Sequence, residues 1–258
     1  MHLPLARYRF ARMVITFCAA VAAVVPAFAQ TAPPEPRVTR TVLAQTKLHF
    51  EGMKSLFMGA VGVVVPAGQS SDISAVADGI LYQMSGATEI EADGVKKTLD
   101  ARKALFVATG KHIALKAGSD MPSTLMHFLI GRAADLDRSG ATAPSTVIEI
   151  FRSSRPIPAL KPGVYDLNLT AIALPPHAPP NASYRRSGAA LDYVLFGTGA
   201  NTVGGTTAQK GVGSVIYEPP GQVHLWGNPG DEELRFVVFN INAEGTPAFV
   251  PDTPPKPR

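Results

Sequence analysis

The residues from Gly213 to Asn228 keep a fixed order: Gly213, five residues, Pro219-Pro220-Gly221, two residues, His224, three residues, Asn228. His224 is the versatile group, since an imidazole can exchange a proton near neutral pH or ligate a metal. Trp226 offers an apolar wall and Asn228 an amide. Upstream, Tyr184 and Arg186 alternate along a short segment. Together these five side chains suit a small anion or carboxylate, with Arg186 as a two-pronged donor and Tyr184 and His224 as further donors. A cation near His224 would also lower its pKa and favour a general base. The plainer alternative keeps Trp226 as packing and Arg186 on the surface. Other chemistries are absent from the chain. No Ser-His-Asp constellation is legible, and the single cysteine is Cys18. No phosphate-cradling glycine loop occurs, and Gly197-Thr198-Gly199 reads as a strand-end turn. His49, His112 and His127 are scattered, which favours structural or surface roles.

The elements that must position these residues read as strands. Apolar or alternating runs at Gly59–Val65, Ile80–Met84, Ala104–Ala108 and Leu125–Ile130 are separated by Gly, Pro or Asp. A second set follows at Tyr165–Leu174, Asp192–Phe196, Ser214–Tyr217 and Leu234–Ile241. Ala92-Asp93-Gly94 and Val203-Gly204-Gly205 fit tight hairpins. The two sets are copies. Tyr82 and Gly86 map onto Tyr193 and Gly197 with one shift of 111 residues, which also carries Gly110 onto Gly221 and Phe128-Leu129-Ile130 onto Phe239-Asn240-Ile241. The chain is therefore expected to be all-β, with two tandem domains.

The Gly213–Asn228 run resembles the second conserved motif of the cupin family at every fixed position. With the repeat and the strand rhythm, the chain is similar to a bicupin over roughly residues 41–248. The resemblance implies two tandem cupin-type jelly-roll β-barrels: 41–135, a degenerate N-terminal barrel; 136–163, a linker; and 164–248, the C-terminal barrel. It also implies a divalent transition metal (Fe, Mn, Ni, Cu or Zn) held by three histidines and a glutamate. Here Tyr184, Arg186 and Ala190 stand where two of those histidines and the glutamate would be, and only His224 is kept. Arginine cannot serve as a ligand, and its charge opposes a divalent ion. An altered metal set would draw on His224, His177 and Asp192, with Tyr184 beside them; otherwise His177 is a surface loop residue and Asp192 a solvated acid. In the first copy the same shift puts Ile73, Ala75, Gly79 and Ile113 at the ligand positions, none able to bind metal.

Arg7, Arg9 and Arg12, the apolar stretch Met13–Val25, and Ala27-Phe28-Ala29 read as a secretory signal peptide over 1–29. Residues 30–40 then form a Pro-rich leader and 249–258 a Pro-rich tail, both expected to be extended or flexible. Secretion, or delivery to a bacterial periplasm, is the expected localisation. No further stretch is long and apolar enough to span a membrane. Removing three arginines lowers the formal charge from +4 to about +1, so the basic pI is no argument for nucleic acid. Three functions remain open: binding of a small polar or carboxylate-bearing ligand in the C-terminal barrel, metal-dependent cupin catalysis (dioxygenase or isomerase type) with altered ligands, and a structural role in assembly as a homo-oligomer.

Overall fold

A computed structural model describes residues 37–52, 54–137, 140–158 and 160–252. The expected signal peptide and most of the leader lie outside the described residues, as does the end of the tail. Strand β1 (Thr39–Phe50) precedes a first copy made of β2 (Phe57–Val65), β3 (Ser70–Ser74), β4 (Asp78–Ser85), β5 (Ala87–Ala92), β6 (Val95–Asp100), β7 (Ala104–Val107), β8 (His112–Ala117) and β9 (Ser123–Gly131). A single-turn helix α1 (Ala133–Leu136) and β10 (Thr146–Arg152) follow. The second copy is β11 (Gly163–Leu174), β12 (Tyr184–Arg186), β13 (Ala189–Phe196), β14 (Gly199–Val203), β15 (Thr206–Lys210), β16 (Val215–Glu218), β17 (Val223–Gly227) and β18 (Leu234–Ala243), with β19 (Phe249–Pro251) after it. The fold is all-β and of jelly-roll type.

Both copies use one topology. A larger sheet is ordered β2-β9-β4-β7 in the first and β11-β18-β13-β16 in the second; a smaller sheet is β3-β8-β5-β6 in the first and β12-β17-β14-β15 in the second. The tight hairpins form at both expected places. Asp93 and Gly94 have φ of 52° and 77°, and Gly204 and Gly205 have 55° and 86°, the two-residue turn whose twist matches antiparallel strands.

The flanking strands differ from the expected division. β1 does not join the first copy; it pairs antiparallel with β11, at the edge of the second copy's larger sheet. β10, inside the expected linker, pairs with β2 of the first copy. Each copy's larger sheet thus gains a fifth strand from outside its repeat. The start of the expected tail is also ordered, because β19 pairs with β12.

Residue alternation explains the packing. Along β13, Leu191 joins a core shared by both copies, with Tyr193 and Leu195 packed against it, while Ala190 and Val194 point into the second copy's interior. Along β9, Met126, Phe128 and Ile130 face the shared core and Leu125 faces the first copy's interior. The two larger sheets therefore cover each other, with Phe128 and Phe239 stacked at 5.7 Å between ring centroids. Strands buried on both faces lose the polar half of their alternation, which is why β9 and β18 read as nearly continuous apolar runs. Among the described residues, no helix is long and apolar enough to cross a membrane.

Candidate functional site

The interior of the first copy is closed to chemistry. Ile73, Ala75 and Ile113 belong to its apolar core with Leu81, Val107 and Leu115. Gly79 has no room for any side chain, since an added Cβ would lie 2.3 Å from the Phe128 carbonyl oxygen.

The same positions in the second copy hold a buried polar cluster. β12 lies between β17 and β19, with Tyr184 opposite His224 on one side and Arg186 opposite Phe249 on the other. Alternation sends Tyr184 and Arg186 inward and Arg185 outward, where it binds Asp252 and the Gly221 carbonyl. Gly221, at φ 78°, turns the chain between β16 and β17, and its N–H donates to the Arg186 carbonyl at 2.9 Å. The motif's turn is thereby tied to the strand that carries the arginine. Gly188 lets β12 run into β13 against β18; a Cβ there would lie 1.8 Å from the Ile241 carbonyl oxygen.

Glu218, at the inward-facing end of β16, is the centre of the cluster. Arg186 Nε donates to Glu218 Oε2, and the Tyr184 hydroxyl lies 3.3 and 3.4 Å from its two oxygens. His224 Nδ1 is 3.3 Å from Glu218 Oε1, yet neither ring nitrogen makes a hydrogen bond. Asp192 completes the set: its Oδ1 is 3.8 Å from Arg186, and its Oδ2 accepts the Trp226 indole N–H at 2.9 Å. Arg186, Asp192, Glu218 and His224 are all essentially inaccessible to solvent.

Burial and the Glu218 charge push the Asp192 carboxyl well above the usual range, against the opposing pull of Arg186 and the indole hydrogen bond. Burial opposes the charge on Arg186, but Glu218 and Asp192 more than offset it and hold the guanidinium protonated. Burial lowers the His224 pKa, Glu218 opposes that shift and Arg186 adds to it, so the imidazole stays neutral at pH 7. Arg186 is thus the fixed cation of the cluster, held against Glu218 and Asp192 with His224 beside them.

Phe249 covers this cluster from β19. Its ring lies 4.4 Å from the Arg186 guanidinium carbon and meets Tyr184 edge-on at 4.9 Å. Beside it opens a cavity of about 260 Å³ whose walls include Ile172, Leu174, Pro180, Trp226 and Phe236. Tyr184 and Arg186 supply its polar end, and exposed Arg40 stands at the rim.

Several expected site residues have other tasks. Asn228 is fully buried, and its amide is consumed by the backbone: its nitrogen donates to the carbonyls of Leu174, Pro175 and Glu232, and its oxygen accepts from Gly230. It pins loops together and has nothing left for a ligand. His177 sits at φ 56° on an exposed turn, with Nε2 3.2 Å from Asp231, and does not join His224. Asp192 is an interior residue and not a solvated acid, because β13 turns it inward with Ala190 and Val194. Arg186 is likewise not a surface residue. Glu218 and Phe249 escaped the sequence reading. An inward arginine requires a buried counter-charge, and alternation from Ile216 was the available sign pointing to Glu218.

These residues do not fit a bound divalent metal as arranged. His224 is the only imidazole, and Glu218 and Asp192 already face a fixed cation. Among the described residues, no three His, Cys, Asp or Glu side chains are grouped to hold a metal ion.

Comparison with known proteins agrees with this architecture. Residues 172–240 match the family model described as the cupin domain. The second copy thus carries a cupin domain. Among solved structures, it is similar to oxalate decarboxylase from Bacillus subtilis, a protein with Mn(II) centers, at 13% identity and TM-score 0.53, covering 83% of this chain and 79% of that one. It is also similar to AerE from Microcystis aeruginosa, at 10% identity and TM-score 0.51, covering 78% and 98%. At such identities the likeness concerns the fold. No curated protein matches the chain in sequence.

Proposed function

We propose that this cupin is an exported small-molecule-binding protein whose second barrel uses a fixed guanidinium where relatives use a metal. The observation that carries this reading is Arg186, buried among Glu218, Asp192, Tyr184 and His224 beside an apolar cavity. A guanidinium set between two acids faces them much as a metal ion would, but it offers no open coordination position. The cavity then serves recognition. Because Arg186 already faces Glu218 and Asp192, an anion buried against it would meet two acids together with the guanidinium. The ligand that fits is a small, mainly apolar molecule with one hydrogen-bond acceptor directed at Arg186, rather than the carboxylate suggested by the sequence. Export rests on the signal-like residues 1–29, and a mature chain beginning at Gln30 by mass spectrometry would support it.

Acetophenone is a suitable probe, being neutral, aromatic and equipped with one carbonyl. Trp226 is the single tryptophan of the chain and lines the cavity, so its fluorescence reports occupancy. Acetophenone should shift that emission and raise the melting temperature, and Ala178→Phe, which fills the cavity, should abolish both effects. No response in the unaltered chain, or an unchanged response in Ala178→Phe, contradicts the reading. One observation favours metal-dependent catalysis as a second reading: both His224 nitrogens lack partners while Glu218 lies beside the ring. Stoichiometric metal lost in His224→Ala would establish a metal site there and favour that alternative over the metal-free reading.

A further inference from the structure

A second cavity, of about 380 Å³, opens where the two copies and β1 meet. Its floor is apolar, formed by Leu43 of β1, Leu195 of β13 and Phe236 of β18 among others. Its polar side chains are Arg102, Arg235, Tyr82, Thr39 and Thr41, and no carboxylate lines it. Phe236 forms a wall of both cavities, so this groove lies behind the one beside Arg186.

Of the two arginines, Arg102 has no ion-pair partner among the described residues and Arg235 has Glu233 alone. Arg102 stands in the turn between β6 and β7 at φ 68°, a left-handed conformation unusual for a residue with a long side chain. Backbone hydrogen bonds from Arg102 to Gln83 and from Gln83 to Lys103 hold it there. Its guanidinium makes no ion pair or hydrogen bond among the described residues. Strain of this kind persists where surrounding structure fixes it, and it gathers at binding sites. Arg235 lies over the Phe196 ring at 4.6 Å. Its Nε is 3.2 Å from half-exposed Glu233, but that N–H is not aimed at the carboxylate and remains without a hydrogen bond in a buried position. Both guanidiniums lie near enough to the Tyr82 hydroxyl to favour its ionised form, against the larger effect of burial.

The repeat supplies an internal control. A shift of 111 residues replaces Arg102 by Gly213 and Arg235 by Thr124. The equivalent face on the other side of the molecule therefore lacks both cations, although Tyr82 is matched there by Tyr193. The cationic pair is specific to one groove and does not follow from the fold.

We propose that this groove is a second binding site, for a small monocarboxylate with a flat apolar body. The carboxylate is met by Arg102 and Arg235, with Tyr82 also lining the groove, and the body lies on Leu43, Leu195 and Phe236. Charge-assisted hydrogen bonds from two guanidiniums give the preference for an anion, and the apolar floor excludes inorganic anions as good ligands.

Calorimetric titration of the full chain with 2-naphthoate and with neutral 2-naphthamide tests this. Naphthoate should bind at least about tenfold more tightly than the amide, and Arg102→Asn and Arg235→Gln should each weaken it by about tenfold. Asparagine tolerates the backbone conformation at position 102, so that variant should fold, and it decides the matter if Arg235→Gln does not. Ala178→Phe, which blocks only the cavity beside Arg186, should leave naphthoate binding intact. Equal binding of acid and amide, loss of naphthoate binding in Ala178→Phe, or no heat at about 10 mM naphthoate would overturn the proposal. Failure here leaves the acetophenone result standing, since the two probes differ in charge and in the variant that blocks them.

Discussion

At the scale of single residues, the two copies show what one backbone position can become. Arg186, Asp192 and Glu218 in the second copy correspond to Ala75, Leu81 and Val107 in the first, and the first set builds an ion-paired site where the second builds core. His127 is the first copy's own polar intruder. It is buried, its Nε2 has no partner, and burial lowers its pKa from 6.5 to about 4. The unfolded chain therefore binds the proton more readily than the folded one. The stability contributed by neutral His127 is complete above about pH 6.5 and is lost as pH falls toward 4. The full loss is about 3 kcal/mol. Urea unfolding across that range should show a decline for the unaltered chain that is largely absent in His127→Val, the substitution that copies Val238 of the second copy. Parallel profiles for the two proteins would contradict this.

Among the elements, β19 is the one whose role was hidden. Its Pro-rich surroundings suggested a loose tail, and the three residues that pair with β12 carry no strong strand signal. Their partner could be known only once β12 was an edge. The strands of the repeat, by contrast, were legible because Gly, Asp and Pro punctuate apolar runs of suitable length. The site was legible in part: His224, Arg186 and Tyr184 announced themselves by spacing, whereas Glu218 ended an apolar run and Asn228 looked available while its amide was committed to loop carbonyls. The pairing of β1 with β11 and of β10 with β2 was not legible, because these partners are distant in sequence and local pattern does not report them. Phe249→Ala should remove the ring over Arg186 and the edge contact with Tyr184, costing about 1–2 kcal/mol in denaturant unfolding. A variant as stable as the parent would show that β19 merely rests on the site.

For the whole molecule, the shared core joins the two copies. Phe128 comes from one and Phe239 from the other, and β1, which precedes the first copy and pairs with β11 of the second, adds backbone pairing across the same boundary. Phe239→Ala should cost about 3–5 kcal/mol, and calorimetry should still show one transition. Two separate transitions would mean that the copies are independent. The first copy, with its filled interior, then acts as the wall that fixes β13, β16 and β18 behind the site. The central claim, that Arg186 takes the place of a metal, is tested most directly by elemental analysis of the purified chain after expression with added Mn, Fe, Ni, Cu and Zn. The unaltered protein should hold far less than one metal per chain, and Arg186→His, which removes the guanidinium and adds an imidazole near His224 and Glu218, should hold more. One tightly held metal per unaltered chain, lost in His224→Ala, would contradict that claim.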